Sequence, residues 1–167
     1  MPSQPQIDSA AVLFDTLFEF VAQWSADTAV EAVAGHAGVD LDAARFRAIL
    51  ELGRADDGLL AGDLAPPLHM SASNVSKVLA KLERDGLIER SASSSDRRAV
   101  RVTLTADGRH LADALRASGT ELVGALTARW ARRDTDRLVA LLQRLSRDVR
   151  EQQEPADAGP RRRSGSR

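Results

Sequence analysis

The sequence predicts a mainly α-helical chain carrying one small β-hairpin, and three observations lead there. Apolar residues recur at helical spacing through most of the length, as in Leu13, Leu17, Val21 and in Leu138, Leu142, Leu145, Val149. Strand-like alternation is confined to one place, where Val100, Val102 and Leu104 interleave with Arg101 and Thr103. Helix stop and start signals, Asp85-Gly86 and Thr105, bracket that stretch.

Length and composition narrow the classes. A chain of 167 residues forms one domain of ordinary size with helices to spare for assembly. Its hydrophobic fraction of 43% supports a core, and an aromatic fraction of 4% leaves the packing to aliphatic side chains. The absence of cysteine excludes disulfides and thiolate metal sites. No run approaches the roughly 18 apolar residues of a membrane span, and the polar N-terminus lacks a signal-peptide core, so a soluble, cytoplasmic protein is expected. The formal net charge is −1, which gives no global attraction to nucleic acid. From Ser71 to Arg109, however, eight basic residues face five acidic ones, a local excess of +3.

Residues 1–6 read as a loose start. A first helix is expected from Ile7 to at least Trp24; Phe14, Leu17, Phe18, Val21, Leu13, Phe20 and Trp24 cover close to half its circumference. That arc is wider than one core needs, so the helix should pack on its own domain and on a second subunit. Residues 25–34 either continue or break it, and Gly35, His36 and Gly38 end it. Asp42 is the expected N-cap of a second helix, Ala43 to Gly53, with Phe46, Ile49 and Leu50 on its apolar side. Leu59-Leu60 leads into a short third helix, Ala61 to Leu68. Pro66-Pro67 limits that helix to a turn or kinks it.

Ser71 then caps a fourth helix whose Val75, Val78, Leu79 and Leu82 face inward, and Gly86 closes it. Leu87–Arg90 and Ala99–Leu104 are the two expected strands, joined by a Ser-rich tip. Thr105 caps a fifth helix expected to reach Trp130, with Leu111, Leu115, Ser118, Leu122 and Ala125 at the spacing of a helix–helix seam. Asp134 is the expected cap of a sixth. After Pro155 the tail, with its four arginines, has no periodicity and is expected to be disordered. The expected organisation is 7–40 for an N-terminal dimerisation region, 41–105 for a central unit, 106–150 for C-terminal dimerisation helices and 151–167 for the tail.

The central unit reads helix–helix–helix–strand–strand, the order of a winged helix-turn-helix. On the fourth helix Asn74, Lys77 and Lys81 stand at i, i+3 and i+7, on one face with Ser73 and opposite the apolar residues. Such a helix fits a duplex major groove, where amide and ammonium groups meet base edges and phosphates, and Ser71 with the helix's first N–H groups suits a phosphate. The same residues would also suit a plain solvated face. In the wing Arg98 could enter the minor groove, held by Asp96 two residues before it, while Arg97 turns toward phosphate. The alternative there is a surface hairpin with an ordinary ion pair.

Three stretches carry a specific resemblance: Ser71-Ala-Ser-Asn-Val-Ser-Lys, Leu82-Glu-Arg-Asp-Gly-Leu-Ile-Glu-Arg, and Asp96-Arg-Arg-Ala-Val-Arg-Val-Thr-Leu-Thr-Ala-Asp-Gly. The chain resembles the MarR family of bacterial transcription regulators over roughly residues 7–149. Two departures are visible, Pro66-Pro67 inside the third helix and His69 where glycine is common. The resemblance implies a homodimer on a near-palindromic site in double-stranded DNA, acting as a repressor relieved by a small ligand, with no enzymatic activity. It further implies that a lipophilic or phenolic effector lies between the dimerisation helices and the winged unit. Phe20, Trp24 and Phe46 are the candidate pocket residues, or else plain core and interface.

No cofactor is indicated, and His36, His69 and His110 lack metal-ligand spacing. A DNA-binding protein without effector, architectural or partner-dependent, and a winged helix used for protein contact remain the competing readings.

Overall fold

The computed structural model describes residues 9–23, 26–92 and 99–153, with backbone alone at 26, 27 and 153. Seven helices and three strands follow in the order α1 (Ser9–Gln23), α2 (Ala26–His36), α3 (Ala43–Leu52), β1 (Leu59–Leu60), a 3₁₀ turn (Ala61–Leu64), α4 (Ala65–Leu68), α5 (Ala72–Arg84), β2 (Ile88–Ala92), β3 (Val100–Leu104), α6 (Ala106–Thr127) and α7 (Arg132–Gln153). Residues up to Val123 form one compact unit and those from Gly124 onward a second.

The core of the first unit is aliphatic, as the composition requires. Ile49 and Leu52 of α3, Leu64 and Leu68, Val75, Leu79 and Leu82 of α5, Val102 of β3 and Leu115 of α6 are all fully buried and belong to one cluster. Val30, Val33 and Ala34 bring α2 into it, so α2 is a separate core helix that runs through Gly35 to His36. Asp42 caps α3 as expected, its side chain accepting a hydrogen bond from the Arg45 N–H.

The sheet has three strands in the order β1-β3-β2, all antiparallel, rather than the two expected. Leu59 pairs with Val102 and Leu60 with Arg101. A two-residue strand has no period to read, so only pairing reveals it. Arg101 secures this edge, donating from Nη1 to the carbonyls of Asp57 and Gly58, both at 3.2 Å. Of the alternating residues in β3, Val102 and Leu104 are buried while Val100, at the hairpin end, is exposed.

α4 is a single turn that begins next to Pro66 and Pro67, in the first-turn positions where proline loses no hydrogen bond. His69 ends it in the left-handed region, at φ 52° and ψ 44°, the one non-glycine with positive φ among the described residues. Its N–H reaches the Pro66 carbonyl and that of Met70 the Ala65 carbonyl, which closes the turn before Ser71.

After α5 the chain reverses at Gly86, φ +71°, with the Leu87 N–H donating to the Leu82 carbonyl at 2.9 Å. Thr105 then ties the start of α6 to that reversal. Its N–H donates to the Leu87 carbonyl at 3.1 Å, its Oγ1 donates to the Gly86 carbonyl at 2.8 Å, and the same Oγ1 accepts from the Gly108 N–H at 3.0 Å. Gly108 lies so close that a Cβ there would stand 2.0 Å from the Leu87 oxygen. The Leu-Thr-x-x-Gly run is therefore a structural joint between α5, the β2–β3 hairpin and α6.

The helix seam expected on α6 is corrected by burial. Leu115 and Ser118 are buried inside this chain, so they hold α6 to its own unit instead of facing a second subunit. α6 also ends at Thr127, short of Trp130. α1 departs the other way: none of its residues is buried, and Phe14, Phe18, Phe20, Val21, Val12 and Leu13 are all more than half exposed. It makes no core contribution to its own unit.

In the second unit α7 starts at Arg132, two residues before the expected cap, so Asp134 lies within its first turn. There a carboxylate still favours the helix through the dipole. α7 continues to Gln153, beyond the expected boundary at 150, and leaves Leu138, Leu142 and Val149 exposed. The rest of the tail lies outside the described residues.

Gly108→Ala should destabilise by about 2–3 kcal/mol in urea unfolding, against the small gain that alanine brings in an open helix position. Gly62→Ala, where nothing lies within 4 Å of the added carbon, should be close to neutral under the same conditions. His69→Gly should stabilise by about 0.5–1 kcal/mol, because glycine removes the left-handed strain; an unchanged or lower melting temperature would contradict that geometry.

Candidate nucleic-acid interface

Local sequence decides how α5 is presented. Ser71 sits in extended backbone and its side chain accepts from the Asn74 N–H, while its Oγ lies 3.0 Å from that of Ser73. That bond starts the helix where the single turn of α4 stops. Val75, Val78, Leu79 and Leu82 then bury one face. Helical geometry places Ser73, Asn74 and Lys77 on the exposed side, and all three are exposed, as are Ser71 and Lys81.

The exposed row is not electrostatically uniform. Lys77 meets no ion-pair partner among the described residues. Lys81, one turn further, has its Nζ 3.8 Å from Asp42 Oδ2 at the start of α3. Arg45 shares the same carboxylate through Nε at 3.2 Å and reaches Asp85 Oδ2 with Nη1, also at 3.2 Å. Burial pushes the Asp42 carboxyl up, but the Arg45 N–H and guanidinium together with Lys81 outweigh it and hold the group below its ordinary value. Of the two lysines on the exposed face, Lys77 is thus unpaired among the described residues while Lys81 joins a charge network; Arg84 at the helix end is exposed as well.

Two further arginines of the basic segment are engaged in structure. Arg101 anchors β1, and Arg90 of β2 has its Nε 3.0 Å from Glu83 Oε2 at the end of α5. Asp96, Arg97 and Arg98 lie outside the described residues, and so does Trp24.

The remaining pocket residues are not brought together. Phe46 lines a cleft of about 200 Å³ with Val33, Leu50, Arg54, Leu115, Arg116 and Gly119. Phe20 is more than half exposed on α1 and does not line it. Sequence reasoning missed both arginines of this cleft. Arg54 follows the end of α3 and Arg116 lies on α6, so their common place in the lining comes from tertiary packing and not from sequence spacing. Arg116 reaches back to the Gly53 carbonyl at 3.4 Å, and Arg54 pairs with Glu51.

No group of three or more metal-ligating side chains is assembled among the described residues, and no helix there is long and apolar enough to cross a membrane.

Comparison with known proteins agrees with this geometry. The MarR family model matches residues 39–99, from the loop before α3 to the residue before β3. No curated protein sequence matches the chain. Among solved structures, a probable transcriptional regulator from Pseudomonas aeruginosa is 26% identical, with 79% of this chain and 98% of that one covered and a TM-score of 0.61. A MarR transcriptional regulator from Methanosarcina mazei Go1 is 18% identical, with 83% and 97% covered and a TM-score of 0.69.

MepR of Staphylococcus aureus is similar in two bound states. Bound to ethidium bromide it is 24% identical, with 83% and 95% covered and a TM-score of 0.52. A mutant of it bound to an oligodeoxyribonucleotide is 23% identical, with 84% and 98% covered and a TM-score of 0.50. Residues 39–99 thus match the MarR family model, and the described helices follow the fold of solved MarR-type regulators.

Proposed function

We propose that the protein is a homodimeric, sequence-specific DNA-binding regulator that represses transcription and is released by a small ligand. The observation that carries the DNA reading is the solvent-facing row Ser73, Asn74 and Lys77 on a helix capped at Ser71 and backed by four buried aliphatics. Asparagine and lysine offer donors and acceptors to base edges, and the capped N-terminus suits a phosphate oxygen. Lys81 contributes charge that it shares with Asp42. Asp96, Arg97 and Arg98 supply the wing's contact, with Arg98 in the minor groove. MepR with an oligodeoxyribonucleotide supports this by fold similarity.

Dimerisation is supported by α1, whose large apolar residues have no place in the core of their own unit, and by the exposed leucines of α7. A two-fold dimer would set recognition helices about 34 Å apart and so favour a near-palindromic operator. A dimer seated on a promoter blocks polymerase without a further contact, hence repression. Ligand release would act by population shift, a ligand favouring the lobe spacing that fits DNA poorly. The Phe46 cleft, apolar inside with Arg54 and Arg116 at its rim, suits a small aromatic or aliphatic anion. MepR with ethidium supports small-ligand binding by analogy.

Selection of bound sequences from random DNA at a stated salt concentration tests this reading; a palindrome with half-sites one turn apart is expected, and no enrichment would end it. Lys77→Ala should weaken operator binding by about 1–3 kcal/mol, and Lys81→Ala by clearly less. Equal losses in anisotropy titrations would contradict the uneven charge along α5. Phe18→Asp should yield monomers in sedimentation with the winged unit still folded, since Phe18 is 68% exposed; a fully dimeric variant would remove α1 from the interface.

A further inference from the structure

At one end α3 and the recognition helix α5 are joined by the forked side chain of Arg45, beside the longer Lys81–Asp42 pair. Arg45, with only 21% of its side chain exposed, joins Asp42 at the start of α3 to Asp85 at the end of α5. Its Nη2 also lies 3.5 Å from the Asp40 carbonyl. Asp85 is the C-cap of α5, where a carboxylate opposes the negative end of the helix dipole, and the guanidinium offsets that repulsion. Partly exposed pairs add little to stability. What a planar guanidinium supplies is geometry, because its fork holds two acceptors at fixed positions.

The clamp sits where orientation is decided. Asp85 is followed directly by the Gly86 reversal, and the opposite end of α5 hangs on the His69 turn. Apolar packing through Val75, Leu79 and Leu82 is non-directional and leaves rotation of the helix less defined than does a guanidinium held by Asp42 on one side and donating to Asp85 on the other. We infer that Arg45 is a positioning residue of the DNA interface: it fixes the angle of α5 on α3, and so the placement of Asn74 and Lys77, without touching DNA itself. This rests on the DNA-binding reading above. α3 also carries Phe46 and Leu50 of the cleft, so the residue that orients α5 stands on the helix that borders that cleft.

Arg45→Lys keeps the charge and loses the fork, which makes it the decisive variant. Affinities of the full-length chain are compared on the selected operator and on a scrambled duplex of equal length, across a salt series. The operator-to-scrambled ratio should fall about fivefold, with scrambled affinity and salt slope unchanged. Asp85→Asn, nearly isosteric, should lower the ratio similarly and carries the test if Arg45→Lys fails to fold by circular dichroism. The double variant should lose no more than the larger single loss, because both remove one contact.

An unchanged ratio in the variants, or additive losses, would overturn the inference. So would equal loss on both duplexes with the salt slope reduced by about 1, the mark of a direct phosphate contact. A wild-type chain with no sequence preference would overturn the DNA reading and this inference together. Wild-type preference retained in full by both variants would overturn this inference alone.

Discussion

Everything that faces outward on this winged unit depends on the joint around the Leu87 carbonyl. That oxygen accepts the Thr105 N–H, and the Gly108 backbone passes against it with no room for a side chain. The Thr105 hydroxyl closes the same knot by donating to Gly86 and accepting from Gly108. Three elements are fixed by one carbonyl and one hydroxyl: α5 on its exit, the wing at its base and α6 at its start. Ladder pairing between Ile88 and Leu104 begins directly above it, so wing register is set from the joint outward. Small movements of α6 would therefore be felt at the recognition helix, a mechanical link that the proposed regulation requires.

Charge is distributed with similar economy. A net −1 protein cannot rely on a broad positive field, and the excess of +3 between Ser71 and Arg109 is itself partly committed to structure. Arg101 holds β1, Arg90 stands beside Glu83, and Lys81 leans toward Asp42. On the exposed face of α5 the lysine left unpaired among the described residues is Lys77, with Arg84 exposed at the helix end. In the proposed dimer, affinity would come from few contacts placed well, multiplied by pairing two units on one duplex. Orientation of α5 then matters more than total charge.

Apolar surface tells a parallel story within each unit. In the first, α6 spends its expected seam residues on its own core, since Leu115 is fully buried, while α1 spends none of its phenylalanines there. Phe14 and Phe18 stack on each other at 6.3 Å and stay exposed. A contiguous apolar helix left in water is costly, so such surface marks an interaction site. In the second, α7 keeps an amphipathic sequence with its leucines uncovered.

The sequence by itself determined the helices with strong period, both cap residues Asp42 and Ser71, the inward and outward faces of α5, and the reversal at Gly86. These are local matters, decided by hydrogen bonds and spacing within a few residues. It also carried the single-turn limit set by Pro66-Pro67 and the anomaly of His69. Tertiary structure alone decided the rest, because the deciding partners are distant in the chain. β1 exists only by pairing with β3, Leu115 is core only because it joins a cluster with residues of α2 and α3, and Arg54 and Arg116 line one cleft only through tertiary packing. Arg45 reads as one more surface charge until Asp85, forty residues away, arrives beside it.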